Sequence, residues 1–418
     1  MKVFFMVRRA WPLAVALAAA LTAAVPARDG AERAPAFEAR AADGKVVRGP
    51  LRRLGPGWSV RLAAEGGTVE GAGLLSLRRA DLTRPAFPTG PHFILANGDR
   101  VPAKGVRLVG ERLHFRHPDL AGGQETALPL AALSVWWVTA PDRAADPEKL
   151  RRRLATRKRT RDLILLRNGD TVEGLLNALD GDEAVVEADK KKVAVKLGQV
   201  AAVALSTELA DALRPKGPYA RLVLAGAGAA AGTRLSLTEA ACADGATLTG
   251  TTAFGAKVRV PLERVAALDV LQGAAVYLSD LKPAKYEYFP FTDGAWPWVA
   301  DGNAAGHDLR LGVAVHDKGL GLHSHARLTY ALPAGFRHFE ALVGLDDRDG
   351  PRGSVRARVL ADGKPLDLGA AGALTAKGGP RPVRVAVAGV KELTLEVEFG
   401  DGGDVQDVVN WVDARLVR

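Results

Sequence analysis

Two similar phrases in the first two thirds of the chain constrain its fold more than any other feature. Phe93–Val101 reads FILANGDRV, and Leu163–Val172 reads LILLRNGDTV. In each, an apolar segment of strand length enters an Asn-Gly turn, the strongest short-range signal for a β-hairpin. The Asn-Gly-Asp triplets predict turns rather than metal loops, because no further side-chain oxygens follow at ligand spacing.

A closing phrase follows each hairpin, and these phrases recur about every 65 to 70 residues. Phe37–Leu62 is interpreted as a divergent further copy, and Arg221–Ala225 opens the last one. Such units are too small to bury a face alone, so we expect them to stack or to close as small barrels or sheets. The three closing phrases are Leu128–Val135, Val195–Val203 and Val260–Leu268.

From about residue 273 the pattern changes to short alternating strands. In Leu393–Phe399 the odd positions are apolar and the even ones polar, as in a strand with one buried face. Val355–Val359, Val383–Val387 and Leu328–Leu332 behave similarly. Many such strands with Gly and Asp turns between them predict a β-sandwich, so the whole chain is predicted to be all-β.

The N-terminus has the pattern of a secretory signal peptide. Three basic residues precede the apolar run Leu13–Leu21, and small residues end at Ala27. An uncleaved anchor is the alternative, although the run is shorter than the ~20 residues that span a bilayer. Cys242 is the only cysteine, so an intramolecular disulfide is excluded. We expect a secreted, periplasmic or cell-envelope protein without a transmembrane segment after cleavage.

The net charge of +10 suggests an anionic partner, but the charge is unevenly distributed. Seven basic residues fall between Arg151 and Arg161, whereas residues 273–418 hold 17 basic and 19 acidic ones. The run predicts a solvated linker or a short helix. The alternative is a basic patch that attaches the protein to a polyanion or an anionic surface, and such a patch would not recognise a nucleic-acid sequence.

The chain is predicted to be organised in five parts. These are a signal peptide at 1–27, β repeats at 28–150, a basic linker or short helix at 151–162, β repeats at 163–272 and a sandwich at 273–418.

Several separated motifs in the last third of the chain occur in an order typical of one family. The motifs are Tyr277–Leu281, Lys318–Ser324, Val343–Asp347, Gly353–Val355, Asp362–Lys364, Gly389–Leu393 and Asp407–Ala414. With these motifs, the last third resembles the NPCBM family of carbohydrate-binding modules, which is related to galactose-binding-like jelly rolls. The resemblance implies a jelly-roll sandwich that binds sugars, often galactose-type, and that is usually attached to secreted proteins or glycosidases.

Two positions depart from the family's last motif. Val408 stands where a His is common, and Asn410 stands where an Asp is usual. Weak binding, binding of another sugar and a protein-interaction role therefore stay open.

A sugar site needs hydrogen-bonding groups for the hydroxyls and an aromatic face for the C–H side of the ring. The candidate aromatic platforms are Trp296, Trp298 and Trp411, with core packing as the alternative for each. His323 is a further candidate, unless it only bonds a neighbouring backbone group. The candidate polar partners are Asp346, Asp347, Asp407 and Asn410.

The acidic residues near the C-terminus raise the possibility of a structural calcium site. Carboxylates in sandwich loops supply the oxygen ligands that calcium prefers, which makes Asp404, Asp407 and Asp413 the candidate ligands. Exposed turn carboxylates are the alternative. His323 and His325 would share one face of a strand, but two histidines do not complete a zinc site.

We find no catalytic pattern: no Gly-x-Ser-x-Gly elbow, no complete nucleotide-binding glycine motif, and an adjacent Asp346-Asp347 pair that would point to opposite faces of a strand. The sequence therefore predicts an exported, non-catalytic carbohydrate-binding protein. The alternatives are an envelope scaffold that binds protein and, less favoured, an unrecognised glycoside hydrolase. An open aromatic cleft around Trp411 and Asp407 would favour sugar binding, and a buried Trp411 would favour the scaffold.

Overall fold

The computed structural model describes residues 34–64, 67–226, 231–291, 294–348, 350–369 and 372–418. The predicted signal peptide, residues 1–27, lies outside the described residues. Within those ranges the regular structure is β-strand apart from one α-helix and several single 3-10 turns, which confirms the all-β prediction. No helix in this part of the chain is long and apolar enough to cross a membrane.

Four β units precede the C-terminal sandwich. The first contains β1 Ala36–Ala41, β2 Val46–Leu54, β3 Val60–Leu62, β4 Thr68–Val69 and β5 Leu74–Arg79. The second contains β6 His92–Leu95, β7 Arg100–Pro102, β8 Lys104–Val109, β9 Arg112–Arg116, β10 Glu125–Pro129 and β11 Leu133–Trp137. The third contains β12 Asp162–Leu166, β13 Thr171–Leu179, β14 Glu183–Ala188, β15 Lys191–Lys196 and β16 Val200–Ala204. The fourth contains β17 Tyr219–Leu224, β18 Arg234–Ala241, β19 Thr247–Thr252, β20 Lys257–Pro261 and β21 Val265–Leu271.

The units share one antiparallel topology. In the third unit β12 lies between β13 and the closing strand β16, and β14 and β15 follow β13 outward. The first and fourth units repeat this order around β1 and β17. The recurring closing phrases are 3-10 turns with the strands that follow them, so the predicted repeat and its divergent first copy are confirmed. These turns are Gly71–Gly73, Leu130–Ala132, Leu197–Gln199 and Leu262–Arg264.

Closing strands also join the units to one another. β11 pairs with β16, and β5 pairs with β21, in each case antiparallel. With the contact of β7 and β18, these pairings make one 18-stranded sheet with a shared apolar core. All five residues of β16 are buried, which explains why the closing phrases are apolar at consecutive positions instead of alternating.

The C-terminal region is a two-sheet sandwich, as predicted. One sheet has the order β24-β27-β35-β29-β33 with β22 added to β35, and the other has the order β23-β28-β34-β30-β31 with β32 added to β30. The inner faces meet in a core that includes Phe339, Leu395 and Trp411. The strands are β22 Ala275–Tyr277, β23 Lys285–Tyr288, β24 Val299–Ala300, β25 Leu309–Leu311, β26 Ala314–His316, β27 Gly319–His323, β28 Ala326–Ala331, β29 His338–Leu345, β30 Ser354–Ala361, β31 Lys364–Pro365, β32 Leu374–Thr375, β33 Arg381–Ala386, β34 Glu392–Phe399 and β35 Val408–Val417.

The basic run begins inside the helix α1, Pro147–Thr156. Asp146 caps the helix by accepting the backbone N–H of Lys149 at 2.9 Å, and Pro147 occupies the first turn, where its missing N–H costs nothing. The prediction of a short helix is therefore confirmed, although the helix starts four residues before the predicted boundary at 151.

Helix α1 docks on the sandwich through two arginines of the basic run. Arg151 donates to the Asp308 carboxylate at 2.8 Å. Arg152 donates to the carbonyl oxygens of Asp301 and Ala300 at 2.5 and 3.0 Å. Both arginines are buried. The prediction of a solvated segment is therefore wrong for these two residues, which are also unavailable to a polyanion.

A buried ion cluster joins the β units to the sandwich. Arg78 contacts Asp413 at 2.7 Å and Asp269 at 2.8 Å. Arg84 contacts Asp269 at 2.6 Å and also pairs with Asp317. Since Asp317 and Asp413 belong to the sandwich, these pairs bridge the two halves of the described chain.

Candidate functional site

The most promising cluster lies at one end of the sandwich, where β27 ends and β28 begins. The ring of Trp296 stacks on the ring of His323, with 4.3 Å between centroids and 6° between planes. His323 is the last residue of β27 and pairs with Val408 of β35. The tryptophan itself sits in the preceding loop, where the Tyr286 hydroxyl donates to its carbonyl oxygen at 2.5 Å. One aromatic face is thus anchored at the sheet edge.

Further aromatic rings surround this stack. Tyr288 meets His323 edge-on at 6.5 Å between ring centroids. His325 lies 5.0 Å from the ring of Phe289 and 5.1 Å from that of Phe399. The Phe289 ring is exposed at the surface. The cluster therefore offers apolar ring surface beside imidazole nitrogens.

Asp407 places a carboxylate beside this aromatic cluster. Its Oδ1 accepts the backbone N–H of Ser354 at 2.9 Å, whereas its Oδ2 is buried without a hydrogen-bond partner among the described residues. Burial raises the pKa of Asp407 to about 6, although the Ser324 hydroxyl and the Ser354 N–H, which both interact with the carboxylate, oppose the rise. An acceptor of this kind gains from any hydroxyl donor that reaches it, because an unsatisfied buried oxygen is costly.

His323 supplies a neutral imidazole. Its Nδ1 lies 2.9 Å from the Ser324 carbonyl oxygen, which assigns the proton to Nδ1 and leaves Nε2 as an acceptor. Burial lowers the pKa of His323 below its usual value, so the ring is uncharged at pH 7. The predicted bond to a neighbouring backbone group is therefore present, and it orients the ring under Trp296.

Two of the three predicted tryptophan platforms lie elsewhere. Trp411 is fully buried and packs beside Phe339 in the core, because it points inward from a central strand. Its assignment as a ligand platform is wrong. Trp298 lines a separate groove between the sandwich and α1 that also includes Leu150 and Ala145. Only Trp296 belongs to the aromatic cluster.

Two predicted polar partners, Asp346 and Asn410, belong to a buried hydrogen-bond network outside the aromatic cluster. Asp346 is buried and accepts from the side-chain amides of Asn303 and Asn410 at 2.8 and 3.4 Å. The Asn410 amide also donates to the Arg310 carbonyl at 2.8 Å. These residues tie a loop to the sheet, so their assignment as sugar ligands is wrong. Asp347 is half-exposed on the adjacent loop and is not part of the aromatic cluster.

The three carboxylates predicted to bind calcium are not brought together. Asp404 and Asp407 lie near one another, but Asp413 is six residues further along β35, roughly 20 Å at strand spacing. Asp413 is instead held by Arg78, whose charge keeps the pKa of Asp413 well below its usual range although the carboxyl is withdrawn from water. Among the described residues no group of three or more His, Cys, Asp or Glu side chains could hold a metal ion.

Sequence reasoning missed several members of the aromatic cluster. Tyr288, Phe289, His325 and Phe399 come from three separate segments. The concentration of aromatic residues between Tyr286 and Trp298 was the available signal for the first two. His323 and His325 do not share a strand face, because β27 ends at His323 and β28 begins only at Ala326.

Residues 274–417 match the family model described as the NPCBM/NEW2 domain. This sandwich with its aromatic end is therefore an NPCBM domain, and the resemblance drawn from its motifs is confirmed. The match covers the sandwich and none of the four β units.

The chain is also similar to a curated protein of Renibacterium salmoninarum named "Putative endo-alpha-N-acetylgalactosaminidase", with 27% identity over 114 residues. That similarity covers 27% of this chain and 7% of the relative, so the chain spans only a small part of the relative's length.

Two solved structures from Clostridium perfringens are similar to this chain. The CBM51 module of GH95, solved in complex with methyl-galactose, shares 26% identity, covers 34% of this chain and 99% of its own, and gives a TM-score of 0.30. The CBM51-2 and INT domains of ZmpB, solved with GlcNAc, share 22% identity, cover 44% of this chain and 40% of their own, and give a TM-score of 0.32.

Proposed function

We propose that this protein is an exported, non-catalytic carbohydrate-binding protein whose NPCBM domain binds sugar at the aromatic cluster around Trp296. The observation that carries the proposal is the stack of Trp296 on a neutral His323 beside the unpartnered Oδ2 of Asp407. A sugar ring would pack its C–H face on the aromatic side chains and direct hydroxyl groups to the carboxylate and to Nε2 of the imidazole.

The geometry separates this cluster from the residues that stabilise the fold. Trp411 is buried in the core and the side chains of Asp346 and Asn410 bond one another in the loop network, whereas the ring of Phe289 is exposed and that of Trp296 is half-buried. Galactose-type glycans are the first ligands to test, since the family resemblance implies them. GlcNAc-containing glycans are the second.

The direct test is a glycan array followed by calorimetry on the chain from residue 28 onward. Trp296→Ala should weaken binding about 10-fold or more, because it removes the stacking face. Trp298→Ala is the matched control and should stay within about 2-fold. Failure of the unsubstituted chain to bind any arrayed sugar would overturn the proposal. Parallel arms with calcium and with a chelator test the calcium prediction.

Export rests on the N-terminal pattern and requires its own test. Cell fractionation of the producing organism should place the protein outside the cytoplasm, with its N-terminus cleaved after about residue 27. Replacing the Leu13–Leu21 run with polar residues should retain the protein in the cytoplasm. Cytoplasmic recovery of the unaltered protein would contradict export without touching sugar binding.

A protein-binding scaffold is the second candidate function, and two observations favour it: the burial of Trp411, which is the outcome expected for a scaffold, and one exposed surface. Leu175 and Leu209 are 60% and 81% exposed and line a groove of about 830 Å³ between the second and third β units. Exposed apolar surface of this kind often marks a protein interface. Pulldown of a defined partner that survives excess sugar, and is lost in a Leu175→Ser, Leu209→Ser variant, would support this function.

A further inference from the structure

A polar cavity of about 320 Å³ lies where the second and fourth β units, helix α1 and the NPCBM domain meet. Phe87 adds an aromatic ring to its wall, and cations outnumber carboxylates there. The cations are Arg100, Arg152, Arg214, Arg221 and Lys318, and the carboxylates are Asp280, Asp301 and Asp317. The cavity is distinct from the aromatic cluster at the end of the sandwich, and the proposed carbohydrate site does not use it.

Arg100 is the distinctive residue of this wall. It is only 7% exposed, and its Nε and Nη1 atoms are buried without a hydrogen-bond partner in the described ranges. The guanidinium carbon lies 4.8 Å from the centroid of the Phe87 ring. That contact covers the guanidinium but satisfies none of its N–H groups, so the cation is buried and unpaired.

Three other cations of the wall already have partners, and the fourth, Arg214, is exposed to solvent. Arg221 contacts Asp99 at 3.0 Å, and Lys318 contacts Asp301 at 2.7 Å. The Arg152 guanidinium is taken up by the two backbone carbonyls already described. Buried positive charge without a partner is thus concentrated at Arg100.

The acids that influence Arg100 most are held by other arginines. Asp308 pairs with Arg151 at 2.8 Å, and Asp317 pairs with Arg84 and, at 3.2 Å, with Arg234. Burial lowers the pKa of Arg100 to about 9, and the charges of Arg151 and Arg152 act in the same direction, whereas those of Asp308 and Asp317 oppose it. An uncompensated buried charge is costly to the folded state, and an anion that enters the cavity removes that cost.

We propose that this cavity binds a small oxyanion, a carboxylate, sulfate or phosphate, through the guanidinium of Arg100. The planar fork of an arginine pairs with two oxygens of such a group at once. A cavity of this size holds a small anion with accompanying water, and the other cations of the wall raise the local potential. The site would link the β units to the NPCBM domain.

The test is calorimetry on the chain from residue 28 onward, in chloride buffer at constant ionic strength, with inorganic phosphate, sulfate and acetate in separate arms. The unsubstituted chain should bind at least one anion saturably, and the arm that responds identifies the oxyanion. Arg100→Met should weaken that binding at least 10-fold. Arg153→Met, an exposed arginine of α1, is the matched control and should change it less than 2-fold.

Thermal unfolding guards against a variant that simply fails to fold. Because methionine replaces an unpaired buried cation, Arg100→Met should melt at or above the unsubstituted chain without anion, and added anion should no longer raise its midpoint. If Arg100→Met unfolds, Arg100→Lys is the variant to measure. Lysine keeps the charge but lacks the paired N–H donors of the guanidinium, so anion affinity should fall several-fold. Absence of saturable binding to the unsubstituted chain, or equal affinity in the folded variant, would overturn the proposal.

Discussion

Two aspartates six residues apart, Asp407 just before strand β35 and Asp413 in its middle, show how one chemical group acquires opposite properties in one domain. Asp407 is buried with one unpartnered oxygen, and its pKa rises to about 6. Asp413, six residues later, contacts Arg78 and has a pKa well below its usual range. Burial alone raises the pKa of a carboxyl; a neighbouring arginine reverses the direction. The first aspartate keeps one oxygen without a partner among the described residues, and the second holds the two halves of the described chain together.

The largest change in the free energy of unfolding is expected when Asp413 is substituted. Asp413→Ala leaves Arg78 and its neighbours in a buried cluster with one carboxylate fewer, so we expect the free energy of unfolding to fall by about 3 kcal/mol. Chemical denaturation at pH 7 measures the change. Sugar affinity measured on the folded fraction should be unaltered. A loss below about 0.5 kcal/mol would contradict the view that this cluster stabilises the interface.

Helix α1 allows a similar comparison between a buried arginine, Arg152, and its exposed neighbour, Arg153. Arg152→Ala removes two hydrogen bonds to backbone carbonyls of the sandwich and should lower the free energy of unfolding by about 2 kcal/mol. Arg153→Ala is the exposed neighbour and should change it by less than about 0.5 kcal/mol. Denaturation of both variants in parallel checks the difference; equal effects would show that α1 is not docked through Arg152.

Substitution of Asp407, unlike that of Asp413, should raise the free energy of unfolding at neutral pH. A carboxyl whose folded pKa of about 6 exceeds its unfolded value of about 3.9 stabilises the fold below pH 4 and loses that contribution as the pH rises through 6. Asp407→Asn should therefore raise the free energy of unfolding at pH 7.5 by about 1 kcal/mol and flatten its pH dependence between 4 and 6.5. Unfolding curves across that range measure both effects.

Sugar binding by the same variant separates function from stability. If the Asp407 carboxylate accepts hydroxyl protons from the ligand, affinity should fall in Asp407→Asn although the protein is more stable, and the affinity of the unsubstituted chain should fall below pH 6. Calorimetry at pH 5 and pH 7.5 tests this. Unchanged affinity in a stabilised variant would place the ligand away from Asp407.

The smallest effect is expected for the exposed remainder of the basic run. Neutralising Arg153, Arg157, Lys158 and Arg161 together should change the free energy of unfolding by less than about 1 kcal/mol, because these side chains are exposed. If the run attaches the protein to an anionic surface, the same variant should lose salt-dependent binding to anionic vesicles. Vesicle sedimentation at two salt concentrations distinguishes these outcomes.

Local sequence patterns predicted the strands and turns well, but they predicted poorly which side chains contact one another. The Asn-Gly turns and the apolar closing phrases correctly indicated the β units, because hairpin chemistry and strand burial act over a few residues. The bond of His323 to a neighbouring backbone group was anticipated. Trp411 and Asn410 were misassigned, since a motif shows which residues occur together without showing which face of a strand turns inward.

The amino-acid sequence by itself determined that this protein is all-β, that four related units precede a sandwich, and that the sandwich is an NPCBM domain. Only the tertiary structure decided which charges pair. Arg78 meets Asp413 across 335 residues, Arg151 meets Asp308 across 157, and Arg100 is left without an anion. Strand and turn preferences are local, whereas the pairing of buried charges depends on which surfaces the completed sheets bring into contact.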